Sequence, residues 1–205
     1  IRFSVATLAA GASCEVSVNI TSSTAGAVTN TTDTTVATSP VALTGTTAWA
    51  SITIQAVPSI TMLKTVQTVS DPANLLSNPK AIPGAVMQYT IIATNSGGGG
   101  ADIDTTVVVD PIPANTELYV DDIGGGGSGP VLFTQGATSS TLSYTFTALG
   151  DPDPLDDLSF SNNGGATWTA VPTIGTNGCD ATITNIRVNP KGTFIGDVVA
   201  PSPSF

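Results

Sequence analysis

Chemistry in this chain would start from its carboxylates. The run Asp151-Pro152-Asp153-Pro154-Leu155-Asp156-Asp157 packs four acids into seven positions, and Asp121-Asp122 and Asp102/Asp104 add two pairs. Calcium takes roughly six to eight oxygen ligands, and a proline-stiffened acidic loop can offer several. The spacing lacks the Gly and terminal Glu of a helix-loop-helix calcium site. Calcium on Asp151, Asp153, Asp156 and Asp157 therefore stands beside a simpler reading, a solvated acidic turn. No other cofactor is expected. Two carboxylates can also serve a glycosidase, but nothing in the sequence outlines a sugar cleft.

The other chemical residue types narrow the field further. The chain has no His, which removes Ser-His-Asp, Cys-His and His-based zinc chemistry. Gly97–Gly100 and Gly124–Gly127 lack the Lys-Ser/Thr ending of a phosphate loop and are expected to be flexible hairpin or sheet-edge loops. Five Lys/Arg stand against 15 Asp/Glu, a net charge of −10, so neither a nucleic-acid backbone nor an anionic membrane finds a partner here. No apolar run is long enough to span a bilayer. No enzymatic activity is expected.

Cys14 and Cys179 are the only cysteines. An interdomain bridge, bonds to other chains and free thiols all stay open. Asn19-Ile20-Thr21 and Asn30-Thr31-Thr32 match the N-glycosylation pattern. Lys64, Lys80 and Lys191 raise the question of an amide crosslink to an asparagine such as Asn95 or Asn189, although Asn-Pro-Lys more simply makes turns. Trp49, Trp168, Tyr89, Tyr144 and Phe146 are expected to anchor cores.

The elements that must position these groups are strands. Two-residue alternation marks Cys14–Thr21, Ala50–Gln55 and Leu142–Thr147, each with apolar or small residues on one face and Thr/Ser on the other. Further strands are expected near 25–31, 34–38, 59–66, 85–95, 104–109, 117–121, 131–134, 157–160, 167–170 and 181–188. Gly, Pro, Asn and Asp separate them, and no 3.6-residue apolar stripe persists. Only 10% of residues are charged, against 33 threonines, so the exterior must be hydroxyl-rich. The phrase Ala56-Val57-Pro58-Ser59 marks a short interdomain linker, giving modules 1–57 and 58–205.

The phrases Lys64-Thr65-Val66, Asn78-Pro79-Lys80-Ala81-Ile82-Pro83-Gly84-Ala85, Tyr89-Thr90-Ile91, Thr94-Asn95-Ser96-Gly97, Asp110-Pro111-Ile112-Pro113-Ala114-Asn115-Thr116, Phe160-Ser161-Asn162-Asn163-Gly164-Gly165-Ala166-Thr167-Trp168 and Ile186-Arg187-Val188-Asn189-Pro190-Lys191-Gly192 follow one another along the chain. Together they resemble a repeat domain of large secreted bacterial and archaeal surface proteins. Residues 7–14, 29–31 and 50–54 are similar to a related module that often precedes it. The resemblance implies an all-β chain of two immunoglobulin-like antiparallel sandwiches in tandem, extracellular and structural or adhesive.

Both modules depart from the pattern at opposite ends, the first lacking early strands and a cysteine, the second its final strand. Ile1-Arg2-Phe3-Ser4-Val5 has the alternation of that final strand, and Phe205 followed by Ile1 reads as a continuous ending. The expectation is a surface filament in which strands from neighbouring chains complete each sandwich head to tail. The alternatives are a fragment whose missing strands lie elsewhere in one polypeptide, and an adhesive module that binds surface glycans or other envelope proteins.

Overall fold

The computed structural model describes residues 9–33, 36–38, 42–150, 155–175 and 177–205. The chain divides into two compact units, Ile1–Gln55 and Ala56–Phe205. The described residues form no helix, and every named strand pair is antiparallel.

In the first unit, β1 (Gly26–Thr31) pairs with β4 (Trp49–Ile54), and β2 (Val36–Thr38) pairs with β3 (Ala42–Thr44). The β1–β4 register runs from Gly26 opposite Ile54 to Thr31 opposite Trp49. Residues directly opposite share a face, so Val28, Ala50, Ile52 and Ile54 line one side. Thr29, Thr31, Ser51 and Thr53 line the other, where the Thr29 and Ser51 hydroxyls meet at 2.7 Å. Among the residues of β1, β4 and the described segments 9–33 and 45–55, none is buried. Trp49 lies on the hydroxyl face and is 73% exposed, which corrects its expected place in a core: a two-stranded ribbon has no opposite layer to receive it. Cys14–Thr21 is described but joins no strand, with Val16, Val18 and Ile20 exposed.

The second unit opens with a long hairpin, β5 (Ile60–Ser70) and β6 (Val86–Asn95), the register slipping between Thr68 and Ser70. β7 (Val108–Pro111) and β9 (Leu158–Ser161) flank β11 (Asn185–Val188), while β8 (Leu118–Tyr119) pairs with β10 (Cys179–Asp180). Alternation sends Leu158, Phe160, Val188 and Val108 into one core with Ile183. A second cluster gathers Ala93, Leu142 and Phe194, and Phe205 packs against both. Burying Phe160 and Phe194 contributes about 2–3 kcal/mol each.

Residues 131–134 and 141–147 do not form the expected strands. Leu142 is buried as the alternation requires, but the ladder is interrupted by a side chain: the Asp157 carboxylate accepts the Thr145 N–H at 2.7 Å. Residues 167–170 contribute only the bridge of Ala170 to Phe160. Residues 56–59, expected as a linker, belong to the second unit. There the Ser59 N–H donates to the Asn95 side chain at 3.0 Å, and the Ser96 and Gly99 N–H groups donate to Ser59 and Val57 carbonyls.

Candidate assembly site

The site is built on the free side of β6. Along its last residues β6 is bonded on both edges, to β5 and to the segment Pro203–Phe205. Ala93 and Phe205 exchange two backbone bonds at 3.0 and 3.1 Å, and the Asn95 N–H donates to the Pro203 carbonyl at 3.0 Å. The far side of this short segment is held too, since the Ser204 N–H donates to Thr138 and the Gly136 N–H donates to Ser204. Pro203 is fully buried, and the Phe205 ring lies 5.2 Å from Phe133 and 5.3 Å from Phe194. Pro203–Phe205 therefore occupies an interior strand position.

Past Ala93 the same edge of β6 pairs with no strand among the described residues. Ile91, Tyr89 and Met87 have the same parity as Ala93 and turn their backbone groups to the same edge. Among the described residues none of these groups has a backbone partner. On the face they share with β5, Met87, Tyr89, Ile60, Met62 and Val66 are between 37% and 56% exposed, around Lys64, which sits opposite Ile91 and pairs with Asp110 of β7. Ile91 is the residue of this stretch that reaches the first core. Of the residues expected to donate a strand, Phe205 sits here, whereas Ile1, Arg2, Phe3, Ser4 and Val5 lie outside the described residues.

The acidic run has a different role from the one its spacing suggested. Asp151 and Asp153 lie outside the described residues. Asp156 and Asp157 are 1% and 2% exposed, so they are not a solvated turn. Asp156 accepts the Leu158 N–H at 2.9 Å, and Asp157 lies 3.7 Å from the Lys191 ammonium. These carboxylates satisfy backbone and cation inside the unit, and no described cluster of three or more acids, Cys or His could hold a metal. Burial and the nearby Asp156 and Asp157 raise the Tyr144 pKa. The remaining acids organise loops: Asp122 accepts the Gly127 and Gly129 N–H groups at 2.7 Å, and Asp104 accepts that of Gly192.

Cys14 is exposed, Cys179 is partly buried, and both are free thiols. Burial, with a contribution from Glu117, raises the Cys179 pKa. Asn19 and Asn30 are both exposed, as a glycan acceptor must be. Near the loop at 122–129, Val131, Leu132, Phe133, Tyr144 and Phe146 line a cavity of about 220 Å³.

No family model, curated protein or solved structure matches the chain. The site rests on its own geometry.

Sequence reasoning missed Asn95 as the hub of this region. Its side chain is fully buried and accepts from Ser59 and Gly97 while donating to the carbonyls of Gly99 and Ile195, each between 3.0 and 3.1 Å. An Asn ending an otherwise alternating strand and followed by Ser and four glycines was the available signal.

Proposed function

We propose that this protein is the structural subunit of an extracellular filament. Two immunoglobulin-like sandwiches stand in tandem, and a strand from one copy completes the second unit of the next. The observation that carries this reading is the edge of β6, paired with Pro203–Phe205 at Ala93 and Asn95 and, among the described residues, without a backbone partner at Ile91, Tyr89 and Met87. Natural edges are usually guarded by charge, yet β6 has no charged residue in its whole length. An unguarded apolar edge of this kind favours pairing with a further chain.

The parity of the open position says which residues suit it. Phe205 opposes Ala93 and faces inward, so an incoming antiparallel strand needs apolar residues opposite Ile91, Tyr89 and Met87. Ile1, Phe3 and Val5 fulfil this when one position, opposite Ile92, is left between Phe205 and the incoming Ile1; direct continuation would instead set Arg2 and Ser4 there. The contact is head-to-tail and extends indefinitely unless rotation closes a ring. The exposed apolar face of the β1–β4 ribbon supports the same reading, since a two-stranded ribbon alone is marginal in water.

Deleting residues 1–7 tests the proposal. Filaments formed by the intact chain should disappear from negative-stain images; undiminished assembly overturns it. The cavity beside the 122–129 loop favours a second reading, an adhesive module that takes a sugar against Phe133, Tyr144 and Phe146. A purified chain that stays monomeric and binds a glycan array would support that reading instead.

A further inference from the structure

We propose that the tip of the β5–β6 hairpin of one copy seats in the cavity beside the 122–129 loop of another copy, a contact separate from strand donation by residues 1–5. The tip presents Leu75 and Leu76 side by side, 68% and 77% exposed, with Ile82 of the same loop exposed as well. Single exposed apolar residues are ordinary, but adjacent leucines at a hairpin tip mark a contact surface. Leu75 also has a φ of 55°, a left-handed backbone that bulky side chains rarely adopt. Strain of this kind persists only where the surroundings over-determine it, and it gathers at sites that bind.

Here the surroundings are organised by Asp71, which is 3% exposed. Its carboxylate accepts the N–H groups of Ala73 at 2.7 Å, Asn74 at 2.6 Å and Lys80. Its backbone exchanges two bonds with Leu75, at 3.1 and 2.9 Å. The leucines therefore stand on a loop that is already fixed, and docking them loses little further backbone freedom.

The cavity supplies the matching half. Its volume is about 220 Å³, Val131, Leu132, Phe133, Tyr144 and Phe146 line it, and no charged side chain does. Leu132 is exposed, so this wall is open to an apolar visitor. Charge favours a second copy as that visitor. Lys80 is the single charged residue of 72–85, is exposed, donates to Asn78 Oδ1 at 3.2 Å, and meets no carboxylate among the described residues. Beside the cavity, exposed Asp121 precedes Asp122, whose carboxylate accepts the N–H of Gly127 in the cavity wall at 2.7 Å. Copies that each carry −10 repel in general, and a cation beside the leucines facing acids beside the cavity fixes where they can meet. Tip and cavity are different surfaces of one chain, so the contact is heterologous and can repeat from copy to copy.

Carbodiimide crosslinking of the full chain, with ¹⁵N-labelled and unlabelled copies mixed, tests the contact. The expected product joins Lys80 of one copy to Asp121 or Asp122 of another. Leu76→Asp and Leu132→Asp should each cut its yield about tenfold, the scale of one leucine's burial. Both side chains are exposed in the single chain, so the thermal midpoint should not move. Mixed in equal amounts, the two variants should regain the product, because each keeps the half that the other lost. Deleting residues 1–7 should leave the product in place, so the contact and the donated strand fail separately. No mixed-isotope product from the unaltered chain, or full yield from Leu76→Asp, overturns the contact. A glycan that binds the unaltered chain but not Leu132→Asp, with no mixed-isotope product, overturns it in favour of a sugar in the cavity.

Discussion

Gly97–Gly100 and Gly124–Gly127 are identical four-residue runs, yet they are glycine for opposite reasons. A Cβ at Gly97 or Gly99 would collide with the backbone of 56–59, and one at Gly100 would meet Thr193 Cγ2 at 3.0 Å. None of these four glycines has positive φ. The run is therefore a packed layer between 56–59 and 193–196, a correction to its expectation as a flexible loop. Gly125, Gly126 and Gly127 have open space around them but φ of 74°, 67° and 86°, a backbone region costly for other residues. Space decides Gly97, Gly99 and Gly100, and conformation decides Gly125, Gly126 and Gly127. Two chemically identical segments thus respond to different physics, and substitutions separate them.

The largest effect should come from Asn95→Ala. It strips partners from part-buried backbone groups of Ser59, Gly97, Gly99 and Ile195, and at about 1 kcal/mol each, the low end for such a loss, a total near 4 kcal/mol is expected in urea unfolding. Gly99→Ala should follow at about 3 kcal/mol, the upper range for overpacking, because the obstacle is Ala56 backbone that cannot rotate away. Gly98→Ala is its control: the added Cβ meets only the Ala56 Cβ at 3.4 Å, and a loss as large as that of Gly99→Ala would break the packed-layer account.

In the open run, Gly126→Ala should cost about 1 kcal/mol, the left-handed penalty alone, read as a small drop in thermal midpoint. The smallest effect is local and concerns acid. The Asn74 N–H above all, with those of Lys80 and Ala73, holds Asp71 at about 2, below its ordinary 3.8. A lowered folded value means stabilisation that is complete above about pH 4 and lost as pH falls through 2. Amide exchange in residues 73–80 should accelerate over that window while the 97–100 layer, which contains no carboxylate, keeps its protection. Equal acceleration in both would show that the layer is not an independent packed element.

The same contrast explains how much was legible in advance. Period-two alternation located the strands at 26–31, 49–54, 60–70, 86–95, 158–161 and 185–188, because side-chain direction along a strand depends only on local geometry. It failed at Cys14–Thr21, which joins no strand, and at 141–147, where a carboxylate from a residue 12 positions away replaces a ladder partner. It also missed the three-residue β3, too short to show a period. Proximity of Pro203–Phe205 to β6 could not be read, since nothing local in Ser-Pro-Ser-Phe names its neighbour. Lys64 and Asp110 were each visible as charges, but their contact spans 46 residues.

Composition by itself determined an all-β chain with a hydroxyl-rich exterior, because threonine content, alternation and scarce charge act residue by residue. Tertiary structure decided which of those residues are alone and which are enclosed. Trp49 lies open, Asp156 and Asp157 are sealed, one glycine run is clamped and the other free. Burial depends on what the rest of the chain brings to a position, and the same local pattern is satisfied equally well with a neighbour present or absent. For this reason the open strand position beside β6 emerges only once Pro203–Phe205 is seen to begin it.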